Sequence, residues 1–357
     1  AISTGGQNVL MGVNTLVSLT TGNNNTAVGH QALESTTTAD DNTAFGYQSL
    51  QDNTIGNLNV AIGRGALTSN TTAQGGTAVG NNALATNTTG IHNTAVGRDA
   101  GLNITTGTQH VAVGAFALDS QTTGQDCTAM GYAALASNTT ASHNVAIGSF
   151  SLDANTTGDQ NTALGRATLS ENTTASNNTA VGYNSLVTNT TGTQNVAVGA
   201  LALDAATTAS YNTAMGYAAL GSNTTAIVST AIGWGALSSN TTGAQNTAVG
   251  ANCMQNNTTG GSNVAMGRQA MQANTTGANN TGLGYTALIS NTTASNNTAV
   301  GYNSLFANTT GTQNTAVGAL ALDANTTANN STALGFEALT ANTTGANNTA
   351  LGYQALE

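Results

Sequence analysis

The sequence predicts an all-β fold, a parallel β-solenoid (β-roll) in which one short coil of chain is stacked on copies of itself. A 17-residue repeat runs through all 357 residues without an insertion or a deletion. Seventeen residues are too few for a helical-hairpin repeat, which needs about 33. Thr, Val and Ile are abundant and favour extended backbone. Proline, which would remove a hydrogen bond between stacked strands, is absent.

Composition excludes several kinds of partner. Charged residues make up 5% of the chain, and the formal net charge is −10 with four Arg and no Lys. Because phosphate binding needs a basic surface, we expect no nucleic-acid partner. No apolar run reaches the 18 residues of a membrane span, so we expect no membrane insertion.

The repeat has the consensus N-T-A-V-G-Y-x-A-L-x-x-N-T-T-G-x-x, whose positions we number 1 to 17 from Asn8 onward. Position 5 is Gly in all 21 copies, and position 9 is Leu in 18 of them. Positions 13 and 14 are almost always Thr-Thr. We therefore predict about 21 coils that form a single continuous solenoid domain over residues 1–357, with no separate cap or catalytic domain.

Each element of the coil follows from its residues. Positions 1 to 4 alternate like a strand, and we predict that Thr or Val at position 2 and Val at position 4 face inward, with Ala at position 3 outward. Gly at position 5 predicts a turn. Positions 6 to 9 predict a second short strand that brings Leu inward, and position 15 predicts a second corner. At about 4.8 Å per coil the rod would be roughly 100 Å long.

Charged side chains indicate which positions face water. All 18 of them occupy positions 6, 7, 10, 11, 16 and 17. We therefore expect those six positions to form solvent-facing corners.

Alanine at position 3 is a candidate subunit-interface file. Ala occupies this position in 19 of 21 copies although alternation predicts that it points outward. A flat apolar stripe is expected where another chain approaches closely, most simply around a three-fold axis. Crowding beside the glycine turn is the alternative explanation. The candidate file is represented by Ala27, Ala44, Ala61, Ala78 and Ala95.

Position 6 is a candidate surface-contact file because it collects aromatic residues and all four Arg. Such side chains are typical of binding surfaces, so a host-surface glycan or protein is a candidate partner. Packing over the glycine turn or between subunits is the alternative. The candidate residues are Tyr47, Arg64, Arg98, Tyr132, Arg166, Tyr183, Tyr217, Trp234, Arg268, Tyr285, Tyr302, Phe336 and Tyr353.

The word N-T-T is also an acceptor pattern for N-glycosylation, as at Asn70, Asn87 and Asn138. The alternative is that these Asn side chains form a ladder of stacked amides along the rod. Both interpretations are open from the sequence.

The words NTAVG, NVAIG and NTALG resemble the head repeats of YadA-like trimeric autotransporter adhesins. The longer pattern NTAVGYNSLVTNTTGTQ, at residues 178–194, is similar to the shaft repeats of phage tail-fibre proteins. The resemblance implies a left-handed β-roll, a homotrimer, and an extracellular fibre on a cell surface or a virion. Since 357 residues are 21 repeats of 17, we expect the chain to be either a stretch of a longer protein or a subunit that stacks head to tail into a filament.

No catalytic constellation is apparent, and we expect no enzyme activity, no cofactor and no metal. The four His lie in separate coils, and Cys127 and Cys253 are more than seven coils apart. The leading hypothesis is a structural fibre, adhesive or receptor-reaching. An ice-binding solenoid that uses its Thr ladders is the alternative, although adjacent positions 13 and 14 predict only one outward Thr file.

Overall fold

A computed structural model describes residues 4–357 and confirms the fold class. Each repeat contributes one three-residue strand at positions 2 to 4, and the paired strands are parallel. The described residues include no helix. The chain divides into two compact units, residues 1–177 and residues 178–357.

The first unit contains ten strands. They are β1 (Val9–Met11), β2 (Thr26–Val28), β3 (Thr43–Phe45), β4 (Val60–Ile62), β5 (Thr77–Val79), β6 (Thr94–Val96), β7 (Val111–Val113), β8 (Thr128–Met130), β9 (Val145–Ile147) and β10 (Thr162–Leu164).

The second unit contains eleven strands. They are β11 (Thr179–Val181), β12 (Val196–Val198), β13 (Thr213–Met215), β14 (Thr230–Ile232), β15 (Thr247–Val249), β16 (Val264–Met266), β17 (Thr281–Leu283), β18 (Thr298–Val300), β19 (Thr315–Val317), β20 (Thr332–Leu334) and β21 (Thr349–Leu351).

Within each unit, each strand residue pairs with the residue 17 positions further along the chain. Side chains from the same position of the repeat therefore stack on one another. Ala214 pairs with Ala231, for example, and Met215 with Ile232.

The segment at positions 6 to 9 is a series of turns, so the prediction of a second strand is wrong. Asn184 at position 7 and Leu186 at position 9 both have a φ of 51°, in the left-handed region. Left-handed residues bend the chain sharply, which is why no extended segment forms. The backbone remains paired between coils, since the Leu186 N–H donates to the Ala202 carbonyl at 3.0 Å.

The predicted direction of the strand side chains is also wrong. Ala27, Ala44, Ala61, Ala78 and Ala95 are all fully buried inside the single chain, whereas position 4 faces solvent, as at Phe45 (56% exposed) and Met215 (42%). The coil interior is narrow and already holds the Leu side chain of position 9. A methyl group is therefore what fits at position 3, and the larger residue of position 4 lies outside.

Two Asn files run through the interior, at positions 1 and 12. Asn155, at position 12, donates from Nδ2 to Asn138 Oδ1 at 2.7 Å and to the Gly158 carbonyl at 3.0 Å. At position 1, the Asn195 backbone N–H donates to Asn178 Oδ1 at 3.0 Å. These bonds satisfy amides that would be costly to bury unpaired.

Gly at position 5 is required by the stacking. Gly216 has a φ of 133°, and a Cβ placed on it would lie 2.5 Å from the Gly233 carbonyl oxygen in the next coil. No other residue fits this turn without moving the neighbouring backbone.

Candidate functional site

The thirteen predicted residues of position 6 all lie on the surface, and we call them the position-6 file. Each is exposed to solvent, from 42% at Phe336 to 72% at Tyr353 among the aromatic residues. The residue types predicted for a contact surface are therefore accessible in each unit.

In the first unit the file is joined by rings that the sequence reasoning missed. His30, also at position 6, stacks on Tyr47 with ring centroids 5.5 Å apart. Phe116, at position 7, packs between Arg98, whose Cζ lies 4.4 Å from the ring centroid, and Tyr132, at 5.8 Å. A position-7 residue can therefore reach into the position-6 file when position 6 of its own coil is Ala, as at Ala115.

In the second unit the file forms three short stacks. Tyr217 and Trp234 lie 6.5 Å apart, Tyr285 and Tyr302 lie 5.9 Å apart, and Phe336 and Tyr353 lie 5.5 Å apart, with ring planes within 13° of parallel. Arg268 covers Tyr285, with Cζ 5.7 Å from the ring centroid. It also donates from a guanidinium nitrogen to the Tyr285 hydroxyl at 3.1 Å.

Stacking changes what the file can bind. A ring inside a stack has its face against its neighbour, so it offers a partner its edge and its hydroxyl group. Faces are accessible only where a stack ends. The sequence predicted that these residues form one file. Which rings stack on each other depends on which coils have Ala at position 6.

A second exposed surface is the outer side of the strands, positions 2 and 4, which we call the strand face. Position 4 carries Val, Ile, Met, Leu or Phe, and Met266 is 48% and Leu334 46% exposed. Position 2, beside it, is Thr in most coils and Val in the others. Such a continuous apolar stripe is typical of an interaction surface.

One sequence signal could have identified the strand face. Position 3 is nearly always Ala, whereas position 4 varies widely in size. A packed interior tolerates one side-chain volume, and an outward position tolerates many. The uniform file was therefore the buried one, so Ala27, Ala44, Ala61, Ala78 and Ala95 cannot touch another subunit.

The glycosylation candidates lie inside the coil, so that interpretation is wrong for the folded chain. Asn70, Asn87 and Asn138 are fully buried. Asn70 donates from Nδ2 to Asn53 Oδ1 at 2.8 Å, and Asn87 donates to the Gly90 carbonyl at 3.0 Å. The amide-ladder alternative is what the structure contains.

The paired Thr residues differ in environment. At position 13 the hydroxyl group bonds within the fold, as Thr241 Oγ1 does by donating to the Thr258 carbonyl at 3.0 Å. Position 14 is exposed in every coil of residues 4–357 and is Thr except at Ile55. A single outward Thr file results.

Residues that could supply reactive chemistry are scattered. His92 is exposed, whereas His110 is buried and its pKa lies below the usual value because burial disfavours the charged ring. Burial likewise raises the pKa of the Cys127 thiol to about 11 and that of Cys253 to about 12. Across residues 4–357, His, Cys, Asp and Glu form no group of three that could hold a metal ion. No long apolar helix suited to crossing a membrane occurs in that range.

Comparison with known proteins assigns the chain to no family. No protein-family model matches the chain, and no curated protein matches it in sequence.

Proposed function

We propose that this chain is a structural, non-enzymatic segment of an extracellular fibre that self-associates along its strand face. The observation that carries the proposal is the apolar residue at position 4, which is exposed or partly exposed in every coil, within a repeat whose register never changes. A surface of this kind is stabilised when apolar area is removed from water. The resemblance to trimeric adhesin heads favours three chains.

The mass of the purified chain in solution tests this assembly. A homotrimer has three times the chain mass of 35.1 kDa. In one variant Met215, Met266 and Leu334 are each replaced by Asp, which places a charge on the strand face in three coils. We expect that variant to sediment as a monomer with an unchanged circular dichroism spectrum.

A matched control carries the same charge elsewhere. Replacing Thr225, Thr276 and Thr327 by Asp alters three equally exposed position-14 residues and leaves the strand face intact. We expect this variant to keep the mass of the native protein. A native chain that is monomeric at micromolar concentration, or equal masses for both variants, would contradict the proposed interface. Head-to-tail filaments would instead give a broad mass distribution that both variants retain.

Adhesion to a host-surface glycan or protein is the second part of the proposal, and it assigns contact to the position-6 file. Exposed Tyr, Trp and Arg are enriched among residues that dominate binding. A glycan array and a cell-binding assay test it with Arg268, Tyr285 and Tyr302 changed to Ser. Binding that is lost in this variant supports the assignment, and unchanged binding places the contact elsewhere.

An ice-binding role is favoured by one observation, the outward Thr file at position 14, which within residues 4–357 is interrupted only at Ile55. Thermal hysteresis that is abolished when Thr225, Thr242 and Thr259 are changed to Lys would establish it. The absence of thermal hysteresis in the native protein would remove this alternative.

A further inference from the structure

The position-6 file of the second unit is interrupted three times by a single alanine. Along the chain it reads Tyr183, then Ala200, then Tyr217–Trp234, then Ala251, then Arg268–Tyr285–Tyr302, then Ala319, then Phe336–Tyr353. Each alanine stands where one ring is missing from a ladder of rings. We call the space above Ala319 the ring gap.

The ring gap has two aromatic walls. Tyr302 is stacked on Tyr285, and Phe336 is stacked on Tyr353. The gap therefore lies between the outer ends of two stacks, which are two coils or about 9.6 Å apart along the rod. A ring held at the level of Ala319 would lie about one coil from each wall. Neighbouring rings in these stacks have centroids 5.5 and 5.9 Å apart, within the range of favourable aromatic pairs.

The first unit contains the same arrangement with the gap filled. Residues 112–119 read AVGAFALD, and residues 316–323 read AVGALALD, so Phe116 corresponds to Leu320. Both residues have a φ of 60° and donate a backbone hydrogen bond to the position-6 carbonyl of the preceding coil. The Phe116 ring lies between the Arg98 guanidinium group and the Tyr132 ring, and its plane is nearly perpendicular (89°) to that of Tyr132. Leu320, which is half-buried like Phe116, has a smaller aliphatic side chain in place of that ring.

We propose that the ring gap at Ala319 is a binding site for a planar aromatic ring, inserted edge-on between Tyr302 and Phe336. The ligand class is an indole or phenol ring, as in a Trp or Tyr side chain of a partner polypeptide. A flat ring is favoured over a puckered sugar because Phe116 is the occupant that the chain itself uses. The floor of the gap, Ala319 and Leu320, is apolar and offers no side-chain hydrogen bond to a sugar hydroxyl. The site does not depend on the proposed fibre role.

Methyl NMR of Leu320 tests the proposal at the site itself. The probe is N-acetyl-tryptophanamide, titrated into leucine-methyl-labelled protein in which the Leu320 signals are assigned through Leu320→Ile. We expect a saturable upfield shift of these signals, since the methyl groups lie beside the inserted ring. Methyl β-glucoside is the comparison probe, and we expect it to leave the signals unmoved.

Ala319→Tyr is the variant that closes the gap. Tyr is the commonest aromatic residue of position 6, so we expect the fold and its circular dichroism spectrum to be retained while the shift is lost. Leu320→Phe copies the Phe116 coil, and Leu201→Phe does the same in the identical stretch AVGALALD at residues 197–204. The variant that carries both changes should abolish binding as well, as judged by saturation transfer to the probe. No saturable shift in the native protein, an equal shift in Ala319→Tyr, or a shift with the glucoside alone would overturn the proposal.

Discussion

Gly282 lies directly against Met271 of the preceding coil, where a Cβ on the glycine would be 2.9 Å from the Met271 Cγ. Position 3 is otherwise almost always Ala and position 9 almost always Leu. The smaller Gly282 therefore makes room for the longer Met271 at this level of the core. Gly101 and Ile104 form a second such pair, since a Cβ on Gly101 would lie 2.9 Å from the Ile104 Cδ1.

Restoring Ala at position 282 should be harmful only while Met271 is present. We expect Gly282→Ala to lower the free energy of unfolding by about 1–3 kcal/mol because the added methyl overpacks the core. Combining it with Met271→Leu recreates the usual pair and should recover most of the loss. Urea unfolding of the native chain, the two single variants and the double variant gives the coupling free energy between positions 271 and 282. Equal effects of Gly282→Ala in both backgrounds would refute the pairing.

Substitution of the position-5 glycine should be far worse than substitution of a position-7 glycine. Gly216→Ala brings a Cβ within 2.5 Å of a backbone oxygen, and we expect a cost of about 3 kcal/mol or more. Gly235, at φ 65°, would meet only the end of the Asn252 side chain, and Asn already occupies position 7 at Asn184 and Asn303. Gly235→Asn should therefore change stability by less than about 1 kcal/mol. The two thermal melts provide the comparison.

His110 should make the fold sensitive to acid. Its Nδ1 accepts the Cys127 N–H at 3.2 Å and its Nε2 lies 2.8 Å from the Gly124 carbonyl, which is the bonding pattern of a neutral ring. Burial lowers its pKa in the folded state below the usual value of a histidine, although the hydrogen bond to Gly124 and the charge of Asp126 oppose the shift. The stability that it contributes is thus complete above about pH 6.5 and is lost as the pH falls below that value.

The control is His110→Asn, which restores the usual position-1 residue. We expect the thermal midpoint of the native chain to fall more between pH 7.5 and pH 5 than that of the variant. Identical pH profiles would show that His110 carries no such effect.

Both cysteines should be unreactive in the folded chain. Each is fully buried, and burial raises the pKa of Cys127 to about 11 and that of Cys253 to about 12, so almost no thiolate forms at pH 8. Iodoacetamide at pH 8 should label neither until urea is added, as read by mass spectrometry. Thr225→Cys, at an exposed position 14, is the positive control and should react at once. Labelling of Cys127 or Cys253 in the native protein would contradict the burial.

The fold was predictable because the period and the absence of proline leave few other arrangements. Which strand side chains face inward was not predictable, because alternation places Ala27 and Val28 on opposite sides of the strand without showing which side is buried. Assigning the larger apolar residue to the core is a sound rule in a wide interior. It failed here because each coil encloses one Leu, the small residues of positions 3 and 8, and two amide side chains, which leaves no room for a larger residue.

The turn at positions 6 to 9 was mispredicted for a different reason. Leu186 holds a left-handed backbone, which is uncommon for a residue other than Gly, Asn or Asp. Stacking of identical coils supplies inter-coil hydrogen bonds that outweigh this local preference. The position-6 file was predictable from residue type alone, but its stacks and the gap at Ala319 depend on the order of coils.

The central claim, that successive repeats stack in constant register, is tested most directly by distances between spin labels on position 14. Labels at Thr225 and Thr293 are four coils apart, which gives a backbone separation of about 19 Å, and labels at Thr225 and Thr310 give about 24 Å. Pulsed electron paramagnetic resonance should therefore show narrow distributions that lengthen by about one coil spacing between the two pairs. A broad distribution, or a separation above about 40 Å for the 68-residue pair, would contradict the stacked coil.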